Sequence, residues 1–359
     1  MEESKEIAVQ TYTVGSLFAG IGGFCRAFMR EGFRVLWANE IDPFACQTYR
    51  HNYPEVKLYE KPIEELSVTA DHLQPVDVLT AGFPCQSFSM AGNKLGFEDP
   101  RGRLFFQIIR LLNDFGKDKP KIIVLENVRN LLNHDNGKTI EIIGEELRAA
   151  GYLFRVIYGN KSEISDTNPN IKVLNTSSHT TIPQNRERLY MVAFRKDLKK
   201  SRFQFPEKLK EELRKDAYSY FDTDKPADQE LYFDKESKYG KMFLQVMRTA
   251  KNEGRFNSVY LLRRAYVREN KNDCAFTLTA NMGGGGHNVP VIEDQWGIRK
   301  LTPRECLRLQ GFDEKFSFPE GMAKAKQYKQ IGNAVTVDLV QRIAAECKKQ
   351  LFSIERSSI

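Results

Sequence analysis

Over its first two hundred residues the chain alternates short β-branched and aromatic runs with stretches whose apolar positions recur every three or four residues. The runs Tyr12–Phe18, Phe33–Asn39, Val76–Ala81, Lys121–Leu125, Leu153–Tyr158 and Arg188–Phe194 predict strands. Between them, Arg103–Phe115 places Leu104, Phe105, Ile108, Ile109, Leu111 and Leu112 at helical spacing. This alternation predicts βαβ units and a doubly wound, parallel sheet of the α/β class. Ligands of such sheets lie beyond the carboxyl ends of the strands. The segments after Phe18, Asn39, Ala81 and Leu125 are therefore where chemistry is expected.

The rhythm stops at Arg195. Residues 196–241 are densely charged and broken by Pro206 and Pro226, and no βα pattern is visible through to Asp294. A separate region is expected there. Regularity then returns: Thr302-Pro303-Arg304-Glu305 is a capping box with proline at the first helical position, and Gly311 is the expected stop. Leu339, Val340, Ile343, Ala344, Cys347 and Leu351 form the apolar stripe of a last helix.

Five motifs stand at the expected strand ends or near the C-terminus. Phe18-Ala19-Gly20-Ile21-Gly22-Gly23 follows the first strand, where glycines allow a tight turn and close approach of a ligand. A dinucleotide fingerprint would need glycine at 25, where Cys25 stands. With Glu40 and Ile41 at the end of the second strand, an adenosine-bearing cofactor without a pyrophosphate fits better; a turn without a ligand is the alternative. Gly82-Phe83-Pro84-Cys85-Gln86-Ser87-Phe88-Ser89 offers a strand-end thiol, either a nucleophile or a packed structural cysteine. The glycine-bearing stretch Met90–Arg103 behind it reads as a closing loop or an ordinary surface loop.

Glu126-Asn127-Val128 brings a carboxyl out of an apolar strand, where burial would raise its pKa and let it donate a proton; a helix cap is the alternative. Gln184-Asn185-Arg186-Glu187-Arg188 sets two arginines beside a glutamate, for a ligand or as a surface ion pair. Gln330-Ile331-Gly332-Asn333-Ala334-Val335 reads as a glycine–asparagine turn into the last helix.

Composition narrows the class. The chain has 359 residues, 41% hydrophobic and 28% charged, which excludes wholesale disorder. No apolar run approaches the roughly 20 residues that span a bilayer. The charged start Met1–Glu6 argues against a signal peptide. Cys25, Cys46, Cys85, Cys274, Cys306 and Cys347 are scattered without a Cys-x-x-Cys pair, so neither a metal site nor a disulfide framework is indicated and a reducing cytoplasm is expected. Net charge is +7, and Lys241–Lys271 alone carries eight cations against Glu253 and Glu269, a local +6. Tyr260 and Tyr266 are interleaved there, as on a nucleic-acid surface or a solvated helix face.

Taken in order, FAGIGG at 18–23, GFPCQSFS at 82–89, ENV at 126–128, QNRER at 184–188, RECLRLQGF at 304–312 and QIGNAV at 330–335 resemble the cytosine-C5 DNA methyltransferases. That family is typified by the modification enzymes of bacterial restriction systems. The resemblance implies a Rossmann-like, S-adenosylmethionine-dependent catalytic domain over 1–195, a target-recognition domain over 196–298, and a segment, 299–359, returning to the first. It implies that Cys85 attacks C6 of a cytosine flipped out of double-stranded DNA, and that Glu126 contacts the N3 edge. Arg188 and Arg186 would hold the base and neighbouring groups.

Phe18, Ala19, Gly20, Ile21, Gly22, Gly23, Glu40, Ile41, Pro84, Leu104, Asn333 and Ala334 occupy the family's positions for S-adenosylmethionine. Gln86, Ser87, Ser89 and Arg101 flank the thiol toward DNA. In the recognition region Arg263, Arg264, Asn281, Gly284, Gly285 and His287 are candidates for base edges or phosphates. A monomer with a companion restriction endonuclease as functional partner, and no membrane, completes the expectation. The chain departs from the family where Glu60-Lys61-Pro62-Ile63 replaces a Gly-Asp-Ile stretch, which leaves the adenine contact unassigned, and where His179-Thr180-Thr181-Ile182 stands before Pro183. Two other readings remain: tRNA cytosine methylation by the same chemistry, and a DNA-binding relative without catalysis. The large recognition region argues against the first, and retention of Cys85, Glu126, Arg188 and Asn333 against the second.

Overall fold

The computed structural model describes residues 11–84, 103–157, 168–198, 203–263, 265–284 and 288–356. Five strands, Thr13–Leu17 (β1), Arg34–Asn39 (β2), Lys57–Tyr59 (β3), Val78–Gly82 (β4) and Ile122–Val128 (β5), run parallel in the order β3-β2-β1-β4-β5. The order reverses between β1 and β4, so a crevice opens beyond their carboxyl ends.

Beyond β5 the sheet changes sense. Tyr152–Leu153 (β6) and Ile171–Asn175 (β7) precede the two-residue strand Gln184–Asn185 (β8) and the long strand Glu187–Arg195 (β9). β9 pairs antiparallel with β5, β6 and β7, so the sheet is parallel through five strands and mixed at one side. The run Leu153–Tyr158 forms a strand only at its first residue, joined by Tyr152; residues 154–157 are irregular. β3 and β7, at three and five residues, are additions to the expected strands.

Side-chain alternation along β5 explains the two layers. Ile122 and Val124 enter one hydrophobic cluster, and Ile123 and Leu125 enter the other. Gly23–Arg30 (α1) covers the first face with Phe24 and Phe28. Pro43–Asn52 (α2) starts at Asp42, whose carboxylate caps Phe44 and Ala45. Arg103–Asp114 (α3) and Lys138–Ala149 (α4) cover the second face through Phe105, Ile108, Leu112, Ile140 and Ile143. Each such fully buried side chain contributes about 1.5–3 kcal/mol.

A one-turn helix, Thr176–His179 (α5), follows β7. The region without visible rhythm holds Lys238–Asn252 (α6) and four antiparallel strands. These are Val259–Arg263 (β10), Tyr266–Asn270 (β11), Pro290–Glu293 (β13) and Ile298–Lys300 (β14), in the order β11-β10-β13-β14. Ala275–Phe276 (β12) leaves this sheet and pairs in parallel with β8. Phe243, Met247, Tyr260, Leu262, Val291 and Ile298 make the small sheet's own core. Phe203 and Phe205 belong instead to the first large cluster, with Phe203 5.6 Å from Phe194.

Pro303–Leu309 (α7) has the full capping box, Thr302 and Glu305 each binding the other's backbone N–H. It stops at Gly311, φ +80°, where Gly311 N–H donates to Arg308 O and Phe312 N–H to Leu307 O. Lys324–Asn333 (α8) contains Gly332 and Asn333, so these residues form a helix's last turn, and the connection to the final helix is 334–336. Val337–Arg356 (α9) buries its apolar stripe against α1. Among the described residues no helix is long and apolar enough to cross a membrane.

Candidate active site

The crevice at the β1/β4 reversal is lined first by the glycine turn. Phe18, Gly20 and Gly22 all take positive φ, +52°, +56° and +83°, which swings the chain from β1 into α1. Among the described residues nothing lies within 4 Å of where a Cβ on Gly20 would stand, so they leave the backbone there open to close approach. Gly22 and Gly23 are glycines for the opposite reason: a Cβ would strike the Tyr53 ring at 2.3 Å or Val335 at 2.8 Å. Ala19 and Ile21 are buried in the cluster behind the turn.

Glu40, just past β2, holds this turn in place. Its Oε2 accepts the Gly20 N–H at 2.7 Å, while Oε1 accepts the N–H groups of Ile41 and Asp42 at 2.8 and 2.9 Å. One lone pair on Oε2 remains for a ligand hydroxyl. Ile41 beside it is 61% exposed, an apolar wall at the edge of the crevice. After β3, in the substituted stretch, exposed Glu60 is ion-paired with Arg50 and Ile63 is buried. Leu104 is partly buried in the second cluster. Exposed Asn333 and buried Ala334 stand next to Val335, the residue packed on Gly23.

On β5, Glu126 lies opposite Gly82 of β4 on one side and Tyr190 of β9 on the other. It is 9% exposed, and Arg188 Nε reaches its Oε1 at 3.1 Å. Burial pushes the Glu126 carboxyl up; the guanidinium groups of Arg188 and Arg186 pull it back less strongly. Asn127 donates to Phe83 O at 2.9 Å, fixing the chain as it leaves β4 for exposed Pro84. The expected nucleophile Cys85, with Gln86, Ser87, Ser89 and Arg101, lies outside the described residues.

Arg186 occupies a different environment from Arg188. It is 2% exposed and donates to three carbonyls: Leu278 at 2.5 Å, Gly332 at 3.2 Å and Ala334 at 2.8 Å. Burial lowers its pKa to about 9, which leaves it charged at neutral pH. Gln184 works alongside it, donating to Leu309 O at 2.7 Å and accepting the Leu278 N–H at 3.0 Å. Sequence reasoning assigned Gln184, Gln310 and Asn127 no role. Their signal was faint: polar residues inside motif segments, which are costly to bury without partners.

Within residues 196–298 the basic stretch divides. Lys241 pairs with Glu236, Lys251 with Glu293, and Arg255 with Glu253 and Glu269. Tyr260 is buried in the small core, whereas Tyr266 is 58% exposed. Arg248 and Arg263 are exposed and pair with no carboxylate among the described residues; Arg263 reaches only Asn288 Oδ1, at 3.4 Å. Asn281 and Gly284 are exposed on a short turn. Arg264, Gly285 and His287 lie outside the described residues. A second arginine, Arg299, is fully buried between Asp294 at 2.6 Å and Glu305 at 2.8 Å, tying the small sheet to the start of α7.

The family model of C-5 cytosine-specific DNA methylases matches residues 12–349. The Type II methyltransferase M.Bsp6I of Bacillus sp. (strain RFL6) is 41% identical over 343 residues, 94% of this chain and 99% of its own. M.HhaI of Haemophilus parahaemolyticus is 33% identical over 334 residues, 91% of each. Among solved structures, a Spodoptera frugiperda DNMT2 mutant superposes with a TM-score of 0.67 at 20% identity, covering 95% of this chain and all of its own. At that identity the likeness speaks for the fold.

Proposed function

The chain belongs to the C-5 cytosine-specific DNA methylases, and on that premise we propose that Cys85 is its nucleophile and S-adenosylmethionine its methyl donor. The observation that best supports this is the convergence at one sheet edge of the Glu126–Arg188 pair, the exit of β4 toward residue 85, and the glycine turn. A thiolate from Cys85 adds to C6 of an extruded cytosine. Glu126, its pKa raised by burial, holds a proton at ring N3 and so draws charge from the ring as the C6 bond forms. Arg188 fixes Glu126 through its Nε, 3.1 Å from Oε1. When bound, S-adenosylmethionine would supply an electrophilic methyl group for C5, with S-adenosylhomocysteine as the leaving thioether. Transfer of the C5 proton to water, departure of the Cys85 thiolate and return of the N3 proton to Glu126 restore the aromatic ring.

The open backbone at Gly20, the spare lone pair of Glu40 and the exposed Ile41 side chain suit a nucleoside carried on a sulfonium. Phe18, Pro84, Leu104 and Asn333 complete that site in this reading. Residues 196–298 serve as the target-recognition domain, with Arg263, Arg264, Asn281, Gly284, Gly285 and His287 facing duplex DNA; Gln86, Ser87, Ser89 and Arg101 contact it around the flipped base. The protein works as a monomer on chromosomal DNA in the cytoplasm, within a restriction–modification pair.

Labelled methyl transfer to duplex DNA in competition with tRNA tests the substrate class. Label in DNA, mapped to one short sequence by bisulfite sequencing, is the expected result. Preferential label in tRNA would overturn it.

A further inference from the structure

The proposed nucleophile and base contact leave Arg186 without a chemical task, although it is buried and charged at the meeting point of three segments. Its own segment leads into the catalytic strand β9. Leu278 begins the recognition turn, and Gly332 and Ala334 flank Asn333. Resting on the assignment of these two loops to DNA and cofactor, we infer that Arg186 is a positioning residue through which the cofactor site and the DNA site are coupled. A planar guanidinium donates in several fixed directions at once, which one compact ammonium does not reproduce. Among the described residues, Arg186 is the side chain that hydrogen-bonds both loops.

The surrounding packing makes the linkage stiff. A Cβ on Gly332 would sit 2.1 Å from the carbonyl carbon of Thr279, and one on Gly283 2.3 Å from the carbonyl oxygen of Ala325. Backbone therefore lies directly on backbone where α8 crosses the recognition turn. Ordering of the α8 end at Asn333 by a cofactor restrains Leu278 and Thr279, and ordering of the recognition turn by DNA restrains the α8 end. The effect is reciprocal by thermodynamic necessity.

The test uses the full chain and two probes: S-adenosylhomocysteine, and a duplex containing a site mapped by bisulfite sequencing. Calorimetry gives the S-adenosylhomocysteine Kd with and without the duplex, for wild type, R186K and R186M. The expected wild-type ratio is about 5-fold or more, the lower end of ordinary coupling. R186M should bring the ratio near one and raise both KM values by a larger factor than it lowers kcat, a split that partial unfolding would not give. R186K, which keeps the buried charge, should fall between and decides the matter if R186M does not fold. An unchanged ratio in the variant that folds overturns the inference. A wild-type ratio of one does so too, while methyl transfer to DNA, scored separately, reports on the catalytic reading.

Discussion

Glu126 and Arg188 set a buried carboxyl against a neighbouring guanidinium. A carboxyl this buried is costly to ionise, and one guanidinium at 3.1 Å compensates only part of that cost. The native state therefore holds the Glu126 proton more tightly than the unfolded chain does. In the proposed reaction, the competence of Glu126 to hold a proton at N3 is full at low pH and is lost as pH rises through the raised pKa. Glu126→Gln should lower kcat by about 10²–10⁴. It should also remove the alkaline descending limb of the kcat/KM profile, because an amide does not titrate there. A limb that persists in the variant would assign the titration to another group. The sequence made Glu126 legible as a carboxyl emerging from an apolar run. It did not separate Arg188 from Arg186: the two residues alternate along one extended segment and differ only in what the distant residues 278, 332 and 334 bring to them.

At the scale of elements, the catalytic sheet was legible because parallel strands buried on both faces are written as continuous apolar runs. β1, β4 and β5 are nearly all buried. The capping box of α7 and its glycine stop were legible for the same local reason. β3 and β7 were not, being three and five residues long and only partly buried. β11 was masked by its charges: as an edge strand, it leaves Tyr266 and Arg268 exposed. The turn read at Gly332-Asn333 is helical because its glycine serves a close crossing instead of a reversal. Gly332→Ala should accordingly destabilise the protein by about 1–3 kcal/mol, as overpacking does, read from the urea midpoint. A midpoint unchanged from wild type would mean that α8 and the turn at Thr279 and Ala280 separate freely.

For the molecule as a whole, the large mixed sheet and a small antiparallel sheet belong to one chain, and the last helix, α9, returns to α1. Charge is distributed less simply than the sequence total suggests. Half-neutralised by Glu236, Glu253, Glu269 and Glu293, the basic stretch keeps Arg248 and Arg263 exposed. DNA affinity should fall with log[salt] at a slope of about −0.9 per phosphate contact. Arg263→Gln should flatten that slope by about one contact, whereas Lys251→Gln, whose ammonium is already held 2.6 Å from Glu293, should leave it nearly unchanged. Equal slopes for wild type and Arg263→Gln would place the hairpin tip away from the backbone.

The central claim is covalent catalysis by Cys85 on cytosine in DNA. It is tested most directly by incubating the protein with S-adenosylmethionine and a duplex carrying 5-fluorocytosine at the mapped position, then resolving the mixture on a denaturing gel. With fluorine in place of the C5 proton, the adduct cannot eliminate. A shifted, DNA-linked band should form with wild type and cofactor and should be absent from Cys85→Ser or without cofactor. A band that survives in Cys85→Ser, or wild type that methylates the normal duplex yet traps none of the fluorinated one, would contradict the account.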